Sequence, residues 1–98
     1  FKGYLPSEKN ERIQSLKALE QRSRQQNETQ LFIETPYRND ALLADAVENL
    51  HPETCLCVAT DLTLPTQEII SQTIAQWRKR KEMPNLKKRP TIFVLHAA

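Results

Sequence analysis

The apolar run Leu31-Phe32-Ile33 stops at a carboxylate, Glu34, and Thr35-Pro36-Tyr37-Arg38 follow at once. That junction constrains the chain more than any other stretch. Proline fixes its own φ and steers the preceding residue away from helical geometry, so the backbone must break at Thr35. The reading is a buried strand, Thr29 to Thr35, that ends in a polar corner. In open α/β sheets ligands bind just beyond such strand ends. Glu34, Thr35, Tyr37 and Arg38 are therefore the first candidate site residues.

A second run behaves in the same way. Thr54-Cys55-Leu56-Cys57-Val58-Ala59-Thr60 is continuous and apolar, and Asp61-Leu62-Thr63 closes it. Such a run suits a central strand covered on both faces. Between the two runs Ala41, Leu42, Leu43, Ala46, Val47 and Leu50 mark the buried face of a helix. Asn39 or Asp40 would cap it, and His51-Pro52 would end it. Strand, helix and strand make a βαβ unit, whose parallel strands point their polar ends the same way. Glu34 and Asp61 are thus expected to share one cleft. Paired carboxylates can do acid–base work where their surroundings split their pKa values. Each can equally cap the turn that follows it.

The flanking segments complete a second such unit. Phe1 to Leu5 reads as a short strand stopped by Pro6. Ser7 is a candidate cap for a charged helix with a narrow stripe at Ile13, Leu16 and Leu19-Glu20, ending near Arg24. Gln67 to Lys81 fits two descriptions. It is one amphipathic helix through Ile69, Ile70, Ile74 and Trp77, or a strand followed by a short helix capped by Thr73. Trp77 belongs to the core on either description. A loop, Met83 to Arg89, leads to a last strand, Pro90 to Leu95, apolar enough to be central. His51 and His96 read as structural residues at element ends.

Ninety-eight residues suit one domain. The single glycine, Gly3, excludes a Gly-rich phosphate or dinucleotide loop within these residues. No apolar run reaches the length of a membrane span, and no signal peptide is apparent. The chain begins at Phe1 and enters a strand at once, which is expected of a fragment of a longer protein. Cys55 and Cys57 lack a second pair for zinc. They read as buried free thiols of a cytoplasmic protein. Net charge is only +2, yet Arg78, Lys79, Arg80, Lys81, Lys87, Lys88 and Arg89 crowd one stretch. That stretch is either a solvated helix end or a patch for a polyanion.

Four stretches taken in order resemble the C-terminal domain of the tetrapyrrole (corrin/porphyrin) methylase superfamily. They are Phe1-Lys2-Gly3-Tyr4-Leu5-Pro6, Phe32 to Arg38, Ala59-Thr60-Asp61-Leu62-Thr63 and Pro90-Thr91-Ile92-Phe93. The branch nearest in pattern includes the small-subunit ribosomal RNA ribose methyltransferase, with a Glu-Ser-Pro-His-Arg corner and an Arg-Glu-Leu-Thr segment. This chain has Thr35 for the Ser, Tyr37 for the His, and Thr60-Asp61-Leu62-Thr63 for the segment. The resemblance implies an α/β domain with a mixed five-stranded sheet flanked by helices. It implies S-adenosylmethionine as cofactor, held in a cleft between this domain and an N-terminal domain that lies outside these residues. Carried over by position, Ile33, Glu34, Ala59, Thr60, Pro90, Thr91 and Ile92 would hold the adenosine part, largely through backbone groups. The strand-end clusters themselves, rather than the resemblance, suggest the remaining roles: Glu34 or Asp61 would be catalytic, orienting or deprotonating the methyl acceptor, and Thr35, Tyr37 and Arg38 would contact the substrate, a tetrapyrrole or ribosomal RNA. Homodimers are expected. The competing expectation is a stand-alone binding or dimerisation module without chemistry.

Overall fold

The computed structural model describes residues 3–97. Its elements run α1 (Lys9–Gln26), β1 (Gln30–Ile33), α2 (Asn39–Asn49), β2 (Cys55–Thr60), β3 (Glu68–Thr73), α3 (Ile74–Lys79) and β4 (Thr91–His96). The strands form a four-stranded sheet in the order β1-β4-β2-β3, and every pairing is antiparallel. The expected five-stranded sheet is corrected to four among the described residues. At the expected fifth position Tyr4 makes one isolated parallel bridge to Ile33, and Phe1 and Lys2 lie outside the described residues.

β4 is central, as its apolar sequence implies. It lies between β1 and β2, which run parallel to each other without touching. The βαβ reading thus holds for direction and fails for adjacency. Both strands still end at the same end of the sheet.

Alternation sorts the two faces. Phe32, Leu56, Val58, Phe93 and Leu95 are buried and join Leu16, Leu19, Leu42, Leu43, Ala46, Ile74 and Trp77 in one core. Phe32 and Phe93 are register partners whose rings stack at 5.5 Å. The Trp77 indole donates to Leu56 O at 2.9 Å, so its one polar group is satisfied inside the core. On the opposite face Leu31, Ile33, Cys57, Ile92 and Val94 are half-buried. The expectation of a β2 covered on both faces is therefore corrected: helices cover one face only. For the same reason Cys55 is exposed and Cys57 half-buried, where two buried thiols were expected.

Gln67 to Lys81 takes the strand-and-short-helix form. Thr73 accepts from Gln76 N–H at 3.2 Å, and the Gln76 side chain accepts from Thr73 N–H at 2.9 Å, a reciprocal capping box. Thr73→Ala is expected to cost about 1 kcal/mol of stability, measured by urea unfolding. The other two expected caps are corrected. Glu8, one residue past Ser7, caps α1 by accepting from Glu11 N–H. Asn39 is fully buried and its side chain donates instead to Arg89 O at 2.8 Å, so α2 starts without a side-chain cap.

α1 and α2 are joined by a buried ion pair that lies off the apolar stripe. Asp45 Oδ2 accepts from Arg12 Nε and Nη2, each at 2.7 Å, and Lys9 reaches Asp45 Oδ1 at 3.1 Å. No helix among the described residues is long and apolar enough to cross a membrane.

Candidate functional site

The ends of β1 and β2 and the start of β4 surround a cavity of about 360 Å³, within the range of small-molecule sites. Ile33, Ala59 and Ile92 form an apolar floor from the uncovered face of the sheet. Glu34 and Asp61 stand at its polar end, with Pro36, Pro90 and Thr91 beside them and Tyr4, Leu62 and Leu64 at the rim. The cavity thus brings together Ile33, Glu34, Ala59, Asp61, Pro90, Thr91 and Ile92 of the residues singled out from sequence. Thr60 is buried outside the wall. Thr35, Tyr37 and Arg38 stand next to the cavity on the corner and do not line it. Tyr37 is 80 % exposed.

Glu34 is buried, and its two oxygens differ. Oε1 accepts from Thr35 N–H at 2.7 Å and pairs with Arg38 Nε at 3.2 Å. Oε2 is buried with no hydrogen-bond partner. A buried carboxylate oxygen left without a donor is costly, so a donor arriving with a ligand gains a preorganised acceptor.

Asp61 is engaged differently. Its Oδ2 accepts from Arg89 Nε at 2.8 Å and from the Thr66 hydroxyl at 2.9 Å. The Arg89 guanidinium first, then the Thr66 hydroxyl, hold its carboxyl below the ordinary range. A group whose folded pKa is depressed adds stability that is complete above its unfolded pKa, near about 4, and is lost as pH falls through the folded value. Thermal melts across acidic pH are expected to show that loss, with a shallower slope in Asp61→Asn.

Arg89 also donates to Thr66 O at 3.0 Å and Asn85 O at 2.7 Å, tying the loop after β2 to the loop before β4. Asp61 N–H donates to Pro90 O at 2.9 Å, and Lys88 N–H to Pro36 O at 3.3 Å. Three loops therefore meet around one cavity. Backbone strain collects here too: Asp61, Thr63 and Lys88 have φ of 53°, 68° and 59°. A β-branched residue such as Thr63 is rarely left-handed, and such strain, of order 1–3 kcal/mol, gathers at functional sites.

Sequence reading missed the cavity-lining Tyr4, Pro36, Leu62 and Leu64 and also Arg89, which stood within a run of cations. That run divides by role. Arg78 donates to Val47 O and Leu50 O at 2.8 and 2.7 Å, closing the end of α2. Arg80 lies 5.4 Å from the Trp77 ring centroid. Lys79, Lys81, Lys87 and Lys88 are exposed. His96 Nδ1 lies 3.3 Å from the Thr29 hydroxyl at the far end of the sheet, and His51 is exposed beyond α2. Among the described residues no group of His, Cys, Asp and Glu side chains could hold a metal ion.

No protein-family model matches this sequence, and no curated protein does. Among solved structures, the methyltransferase CobJ matches over all of this chain at 17 % identity, with a TM-score of 0.56. The chain spans 41 % of the length of that structure. The likeness establishes the fold alone: this α/β domain is built like part of that structure.

Proposed function

We propose that this chain is the C-terminal domain of an S-adenosylmethionine-dependent methyltransferase of the tetrapyrrole methylase superfamily. The observation that carries the reading is the meeting of three separate strand ends around one apolar cavity with an unpartnered buried acceptor, Glu34 Oε2. The fold likeness to a methyltransferase and the ordered sequence resemblance support it.

The residues present suit an adenosine. Ile33, Ala59 and Ile92 offer a dry bed for a flat ring, and Glu34 Oε2 offers an acceptor for an N–H or O–H donor. Once bound, the cofactor supplies an electrophilic methyl group on a sulfonium. The chain's own residues position and exclude water. Leu62 and Leu64, on the strained loop held by Arg89, shield the cavity mouth. Asp61, held as an anion by Arg89, is a weak proton acceptor at neutral pH and serves to anchor that loop. Glu34 is then the acid–base group, and Arg38 is placed to meet an anionic substrate group. An N-terminal domain would close the cavity from its open side.

The substrate class is a tetrapyrrole or ribosomal RNA, both polyanions. Lys79, Lys81, Lys87 and Lys88 are the cations placed to meet one, since Arg78, Arg80 and Arg89 are engaged within the fold. Thermal shift of the full-length protein with S-adenosylmethionine and S-adenosylhomocysteine tests the cofactor. Stabilisation by both is expected. No shift with either contradicts the reading and favours the binding-module alternative.

A further inference from the structure

We propose that Tyr4 is the aromatic partner of the ring that the cavity takes, and so the residue that selects a planar heterocycle. The inference rests on the cofactor reading above and deepens it, since adenine is the one flat ring that S-adenosylmethionine offers.

Register makes Tyr4 part of the cavity floor. It bridges Ile33 in parallel, Ile33 opposes Ile92, and Ile92 opposes Ala59. Residues paired across neighbouring strands share a face, with the strands about 4.8 Å apart. Tyr4, Ile33, Ile92 and Ala59 therefore form one row across the uncovered face, and all four line the cavity. Leu5, next along the chain, joins the core on the covered face, as alternation requires. Three members of the row are short and aliphatic. Tyr4 stands at its end and is the one aromatic residue that lines the cavity.

The backbone holds that end of the row in place. Ile33 N–H donates to Gly3 O at 2.9 Å. Gly3 has φ of 73°, in the left-handed region that glycine enters without steric cost. The chain's single glycine thus stands where the backbone enters the bridge to β1.

Packing within the domain does not account for an aromatic residue here. Tyr4 is 65 % exposed. On its other side it borders a second hollow of about 320 Å³, shared with Ala18 and Arg22, so the ring stands between two open spaces. An adenine lying on Ile33 and Ile92 adjoins it. Aromatic rings pair offset-stacked or edge to face, and the pairing adds to the effect of burying the rings alone. Glu34 follows Ile33 directly, and its unpartnered Oε2 calls for an N–H or O–H donor. Tyr4 and Glu34 together specify a flat ring that carries a donor. Adenine meets both demands, and the methionine end of the cofactor does not.

Calorimetric titration of S-adenosylmethionine and S-adenosylhomocysteine into the full-length protein tests the assignment, with circular dichroism to verify folding. Tyr4→Phe keeps the ring and should bind both ligands within about twofold of the wild type. Tyr4→Ala should bind both about tenfold more weakly. If that variant does not fold, Tyr4→Thr, whose branched side chain suits a bridged position, takes its place with the same expected loss. The two ligands share the adenosine and differ in the sulfonium charge. A loss confined to S-adenosylmethionine would set Tyr4 against the sulfonium and overturn the assignment. An equal loss in Tyr4→Phe would overturn it by showing that the hydroxyl acts. Equal affinity of the wild type and Tyr4→Ala for both ligands overturns it as well, and leaves the cofactor reading standing. A wild type that binds neither ligand overturns both.

Discussion

Glu34→Gln in the full-length protein is expected to lower turnover by about 10²- to 10⁴-fold, the usual contribution of a positioned acid–base group. The substitution keeps size and leaves an amide oxygen for the Thr35 N–H that Oε1 now accepts. It replaces the unpartnered Oε2 with a donor. Stability should change little, because the wild-type atom already lacks a partner. Steady-state kinetics separate two roles for that oxygen. If it holds the cofactor, the KM for S-adenosylmethionine rises; if it acts on the methyl acceptor, kcat falls alone. Unchanged values of both remove Glu34 from the site.

Arg12→Ala should destabilise the domain by about 3 kcal/mol, the lower end for a broken buried pair. Asp45 has a side chain only 2 % exposed, and loss of the guanidinium leaves it with Lys9, whose side chain is 65 % exposed. The penalty is the stranded carboxylate more than the lost attraction. Arg12→Met with Asp45→Leu removes both charges and should return stability to near the wild-type value. Urea unfolding of the three proteins distinguishes these outcomes. A double variant as unstable as Arg12→Ala alone would show that the pair contributes net attraction.

The two predictions fall on opposite sides of what the sequence reveals. Glu34 was legible because local chemistry marks it: an apolar run, a carboxylate, then Pro36. Asp61 closes an apolar run in the same way, whereas Ala59 and the Pro90 to Ile92 segment were marked by the family resemblance alone, and folding brings all of them to one cavity. The Arg12–Asp45 pair was not legible, since its partners lie 33 residues apart on two helices. Arg89 and Asp61 are separated by 28, and nothing in a run of cations distinguishes the one that turns inward.

Strand order was hidden for a related reason. Periodicity reports which face of a strand is buried and says nothing of its neighbours, so the insertion of β4 between β1 and β2 could not be read. Capping misled where a better partner existed. Asn39 has the right chemistry for a cap, but the Arg89 carbonyl claims its amide from 50 residues away. Where the capping partners are close, at Thr73 and Gln76, the local signal and the fold agree.

Calorimetric titration of S-adenosylmethionine into the full-length protein, wild type and Ala59→Phe, tests the central claim most directly. Ala59 is 8 % exposed and lies on the cavity floor, so a benzyl group there fills the space a flat ring would take. The account predicts binding by the wild type and a loss of at least about tenfold in the variant. Binding of equal strength by both proteins, or by neither, would contradict it.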